Sequence, residues 1–317
     1  MKRTLRTGVV ILLAIAASTL HAGQPDDTGT RLILLGTAGG PSIKKARAQP
    51  ANALIVNESV YIIDAGNGVS RQMALAGVSP RALRAVFITH NHSDHVADYG
   101  ALLLRAVASG LKQPVDTYGP PPLEKMTESY LDYMLWDSQL RMTDEGRPSL
   151  ASLVRAHDIE GDGIIYTDEN VKVTAAEVPH GAARPSYAFR FDTPGRSIVF
   201  SGDTSLSENL VRLAKGADVL VHEILNVDGV EAIVNSTDPG NDALTRHIIE
   251  AHTPAEEVGQ VAAEAGVDQL VLTHFVPTGL PEFDDPALWI DAVRKQYAGE
   301  VIVGEDLMEV RMSLAVR

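Results

Sequence analysis

Short apolar runs, each about one strand long, recur along this chain between stretches whose apolar residues repeat at helical spacing. Arg31–Leu35, Ala51–Val56, Val60–Asp64 and Ala85–Thr89 read as strands, with a helix near Ser70–Ala76. Val96–Gly110 has helical spacing and ends on glycine. A strand over Val115–Tyr118 runs into Gly119-Pro120-Pro121-Pro122, a firm stop, and a long helix-like stretch then reaches Met142. The second half repeats this grammar, with strands at Val171–Val178, Tyr187–Asp192, Ser197–Ser201, Val219–His222, Gln269–Thr273 and Val301–Gly304. Thr253-Pro254-Ala255-Glu256 reads as a helix start, with proline at the first position and glutamate three after the threonine. Strands in two groups, each followed by helices, predict an α/β fold of two sheets packed face to face with helices outside.

The first 22 residues have a different character. Lys2, Arg3 and Arg6 precede an unbroken apolar run from Gly8 to Ala17, and Leu20-His21-Ala22 offers a small-residue cleavage site. This pattern reads as a secretory signal, residues 1–22, ahead of one domain over 23–317 that lies in the periplasm or outside the cell. A run this short predicts no stable membrane anchor. Removing Lys2, Arg3 and Arg6 takes three positive charges from a formal net charge of −14 and leaves −17. A surface that acidic repels phosphates, so no nucleic-acid partner is expected. The chain has no cysteine, which excludes disulfides, thiolate ligands and a cysteine nucleophile.

Chemistry concentrates in Thr89-His90-Asn91-His92-Ser93-Asp94-His95, directly after an apolar strand. Residues two apart in an extended segment project to the same side, so His90 and His92 can grip one ion. Asp94 and His95 follow where the chain turns into a helix and can face a second. Imidazole and carboxylate suit zinc-like metals. Further metal-type residues stand just past other strands: His180 in Val178-Pro179-His180-Gly181, Asp203 in Ser201-Gly202-Asp203-Thr204, and His274 in Leu272-Thr273-His274-Phe275. His21, His157, His222 and His247 carry no such pattern.

These motifs, in this order, resemble the metallo-β-lactamase superfamily, an αββα sandwich of two mixed sheets with a two-metal site. The resemblance implies His90, His92 and His180 on one metal, Asp94, His95 and His274 on the other, and Asp203 bridging both. It also implies that Asp64, before Ala65-Gly66-Asn67-Gly68, supports the histidine loop. Leu34-Leu35-Gly36-Thr37-Ala38-Gly39-Gly40-Pro41, His222-Glu223 and His252-Thr253 look most like the branch of ribonuclease Z and the zinc-dependent arylsulfatases. In that branch His252 would be the proton donor and Glu223 its orienting partner, with Asp94 also part of the catalytic set. Two divalent ions are implied, zinc first and manganese or iron as alternatives. They would make a hydroxide available near neutral pH and polarise an ester oxygen.

Only 22 residues lie between His180 and Asp203, so the long arm of the transfer-RNA-processing enzymes is missing. With the charge and the signal segment, this favours a small-molecule ester as substrate, of arylsulfatase or phosphodiesterase type. Lactone or β-lactam opening is the alternative; a ribonuclease Z-like nuclease or a silent metal-binding module ranks below both. The aromatic-rich stretch Tyr130–Trp136, within residues 120–160, reads as core, as a homodimer contact, or as a lid over the metals. Lys44, Lys45 and Arg47 form a positive island that is either simply solvated or places Arg47 to grip a sulfate or phosphate oxygen.

Overall fold

The computed structural model describes residues 29–312; the proposed signal segment, residues 1–22, lies outside them. Two seven-stranded sheets carry the fold. The first contains β1 (Thr30–Gly36), β2 (Ala51–Val56), β3 (Ser59–Ile63), β4 (Leu83–Phe87), β5 (Val115–Gly119) and β6 (Val154–Asp158) in sequence order. The second runs from β7 (Gly163–Thr167) through β8 (Lys172–Val178), β9 (Ser186–Asp192), β10 (Ser197–Phe200), β11 (Val219–Leu225) and β12 (Gln269–Val276) to β13 (Glu300–Val303). The last strand, β14 (Met308–Val310), returns to pair antiparallel with β1. Each sheet is mixed: β1, β2 and β3 are antiparallel before β3 to β6 run parallel, and β7 to β10 are antiparallel before β10 to β13 run parallel.

Period-two alternation sends each strand's apolar residues to two cores. Leu32, Leu34, Tyr61, Ile63 and Phe87 face the other sheet and meet Val173, Phe189, Phe191, Ile198 and Val221. Their neighbours Ile33, Leu35, Ile62, Val86 and Ile88 face outward and pack on helices α1 (Val69–Leu75) and α3 (Tyr99–Ala108), just past the one-turn α2 (Ser93–Val96). The second sheet is covered by α7 (Glu208–Ala214), α10 (Ala255–Ala265) and α11 (Pro286–Val293). Helices α8 (Val227–Thr237) and α9 (Asp242–Ala251) form a separate small cluster beside it. The expected αββα sandwich is therefore present, with strands where the apolar runs predict them.

Three details differ. The helix-like stretch after the prolines is two helices, α4 (Leu123–Tyr133) and α5 (Leu135–Glu145), broken at Met134, and the short α6 (Leu150–Leu153) follows. Helix α4 packs inward, with Tyr130 held so close to Gly100 that no side chain fits there. Helix α5 turns away and buries none of its residues. Tyr133 and Trp136 are 80% and 76% exposed, so core packing holds for Tyr130 and Leu131 and not for the rest. Strands β6, β7 and β14 escape the sequence pattern because two are half-buried edge strands and the third has three residues. Finally, Thr253 does not cap α10: its hydroxyl donates to the Thr204 carbonyl instead, at 2.6 Å.

Phe87 is the hub between the sheets, its ring 5.1–5.9 Å from those of Tyr118, Tyr166, Phe189 and Phe191. Phe87→Ala should cost about 3–5 kcal/mol in denaturant unfolding. Trp136→Ser, on the exposed helix, should change stability by less than about 0.5 kcal/mol. Equal effects from the two substitutions would contradict this packing.

Candidate metal centre

The strands that carry metal-type residues all end at one edge of the sandwich. His90 and His92 leave β4 in extended conformation, and the chain then coils into α2, which presents Asp94 and His95. His180 follows β8 and Asp203 follows β10, while His274 interrupts β12 at a positive φ of 44°. Two glycines allow the loops to close in. Gly66 abuts the Asp94 carbonyl with no room for a Cβ, and Gly202, at φ 60°, would place one 3.0 Å from Thr89.

The seven predicted residues converge. His90 Nε2 lies 3.0 Å from His92 Nδ1, and His180 Nε2 lies 3.1 Å from that same atom. On the other side His95 Nε2 and His274 Nε2 are 3.3 Å apart, with Asp94 Oδ2 at 3.6 and 3.5 Å from them. Two nitrogens bound tetrahedrally to one zinc sit about 3.3 Å apart, so both groups have the spacing of ligands aimed at a shared point. Asp203 Oδ2 stands between them, 3.7 Å from His90, 3.8 Å from His180, 3.3 Å from His95 and 3.2 Å from His274. All are buried except His92, which opens to solvent.

Electrostatics put most of these groups in their ligating forms. Burial pushes His90, His92 and His180 below the ordinary histidine value, which favours neutral imidazole. Burial opposes ionisation of Asp203 and Asp94. The surrounding imidazoles override it, holding Asp203 well below the carboxylate range and bringing Asp94 to about 2. His95 is the exception: burial lowers its pKa, but Asp203, Asp64 and Asp94 raise it well above normal.

Support reaches the outer nitrogens. His95 Nδ1 donates to Asp64 at 2.8 Å, and Asp64 also accepts from the Thr89 amide at 2.8 Å and the Thr89 hydroxyl. His180 Nδ1 donates to the Ala251 carbonyl at 2.7 Å. Sequence reasoning misses both Thr89 and Ala251. Thr89 adjoins the histidine cluster and is open to inference, whereas the Ala251 carbonyl carries no side-chain signal.

His252 and Glu223 also meet beside the cluster. Glu223, on β11, is 1% exposed; its Oε1 accepts from the Thr253 amide at 2.9 Å and lies 3.2 Å from His252 Nδ1. That last contact is an ion pair rather than an aligned hydrogen bond. Burial disfavours the His252 cation, but Glu223 and then Asp203 prevail and raise its pKa to about 9. His222 is fully buried and gives its Nδ1 proton to the Glu223 carbonyl; His157 stacks on Tyr118 and bonds Asp116. Arg47 is not free for substrate in the way expected. Its Nη1 donates to the Thr37 hydroxyl at 2.6 Å and the Gly304 carbonyl at 2.9 Å, and its guanidinium lies over Phe275.

Comparison with known proteins places this geometry. The Beta-lactamase superfamily domain family matches residues 60–275. A ribonuclease Z of Mycolicibacterium paratuberculosis is 32% identical over 285 residues, covering 88% of this chain and 97% of that one. The chain belongs to the metallo-β-lactamase superfamily, in its ribonuclease Z branch. Among solved structures, human tRNase Z, short form, superposes with TM-score 0.63 at 21% identity, covering 89% of this chain and 98% of that one. Zinc-bound PqqB from Methylobacterium extorquens superposes with TM-score 0.63 at 16% identity, covering 89% and 99%. These last two establish the fold. The protein is a metal-binding hydrolase.

Two expectations fall here. The ranking of a small-ester hydrolase of arylsulfatase or phosphodiesterase type, and of lactone or β-lactam opening, above a ribonuclease Z-like nuclease does not stand against relatives that are ribonucleases Z along nearly their whole length, and neither does the exclusion of nucleic acid. The missing arm misleads because an alignment spanning 88% of one chain and 97% of the other leaves no room for a long arm in only one. Net charge misleads because it averages the whole surface, whereas a ligand responds to charges within about 8 Å.

Asp64 supplies no atom to the cluster but fixes His95, so Asp64→Ala should lower metal affinity about 10–100-fold while leaving the seven residues in place. A zinc titration against a chelating dye measures this, and unchanged affinity would mean that the carboxylate serves only Thr89 and the loop.

Proposed function

We propose that the protein is a phosphodiesterase of ribonuclease Z type, cutting RNA with two divalent ions, zinc being the first choice. The observation that carries this reading is the 32% identity to a ribonuclease Z over nearly the full length of both chains. The intact seven-residue cluster and the His252–Glu223 pair are consistent with it. His90, His92 and His180 would hold one ion, Asp94, His95 and His274 the other, and Asp203 both. Imidazole nitrogens mixed with carboxylate oxygens fit zinc, and manganese or iron less closely. When bound, two such ions supply an acidified water and withdraw charge from the phosphoryl oxygens.

The chain's own residues do the rest. His92 and His252 are the most accessible groups around the cluster and mark the side from which a phosphodiester approaches. Asp94 and Asp203 stay ionised, so they hold cations rather than protons. His252 keeps a proton that can go to the departing ribose oxygen, and Glu223 holds that imidazole in its charged form and in place. The Thr253 amide and hydroxyl clamp Glu223 and the adjoining loop.

Metal analysis should return about two ions per chain, and Asp203→Ala should lose both together with activity. A stoichiometry that stays at one under metal-replete conditions would remove the shared-bridge arrangement.

His252→Ala should retain both ions yet lose about 10²-fold or more in rate on RNA. A bis-nitrophenyl phosphate, whose leaving group departs without a proton, should be affected far less. The pH dependence follows from the sign of the shift: His252 is charged below about 9 in the metal-free protein. Activity on RNA should therefore fall as pH rises through that group's pKa. Bound cations nearby can only move this limb below 9. In His252→Ala the limb should vanish, and its persistence would assign it to another group.

A further inference from the structure

Many surface cations of this acidic protein are paired with a carboxylate. Arg31 meets Glu309, Arg155 meets Asp116, Lys172 meets Asp192, and Lys295 meets Glu256. Others, such as Lys112, Lys215 and Arg311, stand singly without a carboxylate among the described residues, but one cleft gathers several cations together. Its volume is about 440 Å³, and Lys44, Lys45, Arg47 and Arg71 all line it. Among the described residues Lys44, Lys45 and Arg71 have no carboxylate partner; Lys44 has only the Ser42 hydroxyl, at 2.7 Å. The one carboxylate in the lining, Asp306, is turned inward, accepting from the Thr37 amide and hydroxyl, the Ala48 amide and Gln72. Burial pushes the Lys44 ammonium below its ordinary pKa, the behaviour of a cation with no counter-ion at hand.

The cleft lies on the same edge of the sandwich as the metal cluster. Its walls are the loop after β1, the segment from Asn67 into α1 after β3, and the turn before β14. The loop after β1 also leans on the metal site. The Gly39 amide donates to the Phe275 carbonyl at 3.1 Å, and a Cβ on Gly39 would meet His274 Cε1 at 3.1 Å. Arg47 is committed to holding this loop, which leaves Lys44, Lys45 and Arg71 as the cations of the lining without an internal acceptor from backbone or carboxylate among the described residues.

We propose that Lys44, Lys45 and Arg71 form a phosphate-binding cleft that seats the RNA strand beside the scissile bond, an assignment that rests on the nuclease reading above. Lysine ammonium groups and a guanidinium bind phosphate oxygens by charge-assisted hydrogen bonds. Three of them within one cleft give an acidic protein a local positive field where the strand must pass. Ile43, 92% exposed at the same loop, offers an apolar face to a ribose or base.

The test is RNA binding by the full chain, metal-loaded, using a fluorescent phosphorothioate-linked RNA hairpin with a single-stranded tail. Lys44→Ala/Lys45→Ala/Arg71→Ala should weaken binding about 10-fold or more. It should also flatten the dependence of log Kd on log salt by about 0.7 for each phosphate no longer neutralised. A control triple, Lys112→Ala/Lys215→Ala/Arg311→Ala, removes the same charge from the opposite edge and should stay within about 3-fold. Equal losses in the two triples, or no loss in the first, would overturn the cleft, as would a wild-type protein that binds no RNA. Inorganic phosphate is the remaining arm. It should compete only at millimolar concentration; tight binding that excludes RNA would assign the cleft to free phosphate and overturn the proposal. Cleavage of ordinary RNA is scored separately. RNA bound through the cleft but never cut would sink the nuclease reading alone, and RNA cut with binding indifferent to the first triple would sink the cleft alone.

Discussion

Three carboxylates and four imidazoles, none more than 4% exposed, sit at one edge of an otherwise apolar sandwich, and the rest of the structure answers for their burial. Isolated charges in such a place would each cost several kcal/mol. The fold compensates by pairing them with one another and with backbone. Asp64 accepts from Thr89 and His95, His180 donates to Ala251, and Asp203 stands among four imidazoles. The arrangement requires the loops to approach closely, which is why Gly66 and Gly202 occupy their positions. Strand order follows from the same demand, since parallel β3 and β4, and parallel β10, β11 and β12, deliver their ends to a single edge.

Much of this is legible in the sequence because strands write their period locally. The apolar runs that form β1 to β5 and β8 to β13 alternate between two buried faces, so each declares itself without knowledge of its partner. Local spacing likewise exposes His90, His92, Asp94 and His95. His180, Asp203 and His274 stand out by their recurrence just past strands, but which of them meet is legible only through resemblance to a family. Illegible features depend on tertiary partners. β6 and β7 are half-buried edges, and on the two sides of the break at Met134 α4 packs on α3 whereas α5 buries none of its residues fully. Thr253 looks like a cap because its neighbours fit the motif, yet a carbonyl 49 residues away takes its hydroxyl.

Arg47 illustrates how the fold can take up a residue that the sequence singles out for a ligand. In a basic island on an acidic chain the arginine is the natural choice of anion grip because a guanidinium matches phosphate geometry. In the fold that geometry is used on neutral oxygens, the Thr37 hydroxyl and the Gly304 carbonyl, with Phe275 beneath the guanidinium plane. Arg47 thus binds the loop after β1 to the strand that carries His274. Lys44 and Lys45, just before it in sequence and flexible point charges, are what remain for an external ligand.

Net charge and local field then act at different ranges. A formal charge of −14 weakens the approach of any polyanion from a distance, but at physiological ionic strength that repulsion is screened beyond about 8 Å. Inside that distance a polyanion would meet lysines without carboxylate partners, buried carboxylates already turned to internal partners, and a cluster of groups that could hold metal ions. Elsewhere Arg31, Arg155, Lys172 and Lys295 are each tied to a carboxylate, and neither the cleft beside α5 nor the one beside β8 gathers three cations. If RNA is the ligand, such a distribution would lower non-specific affinity more than affinity at the reactive edge, and the same acidity that argues against nucleic acid would become a source of selectivity for where it binds.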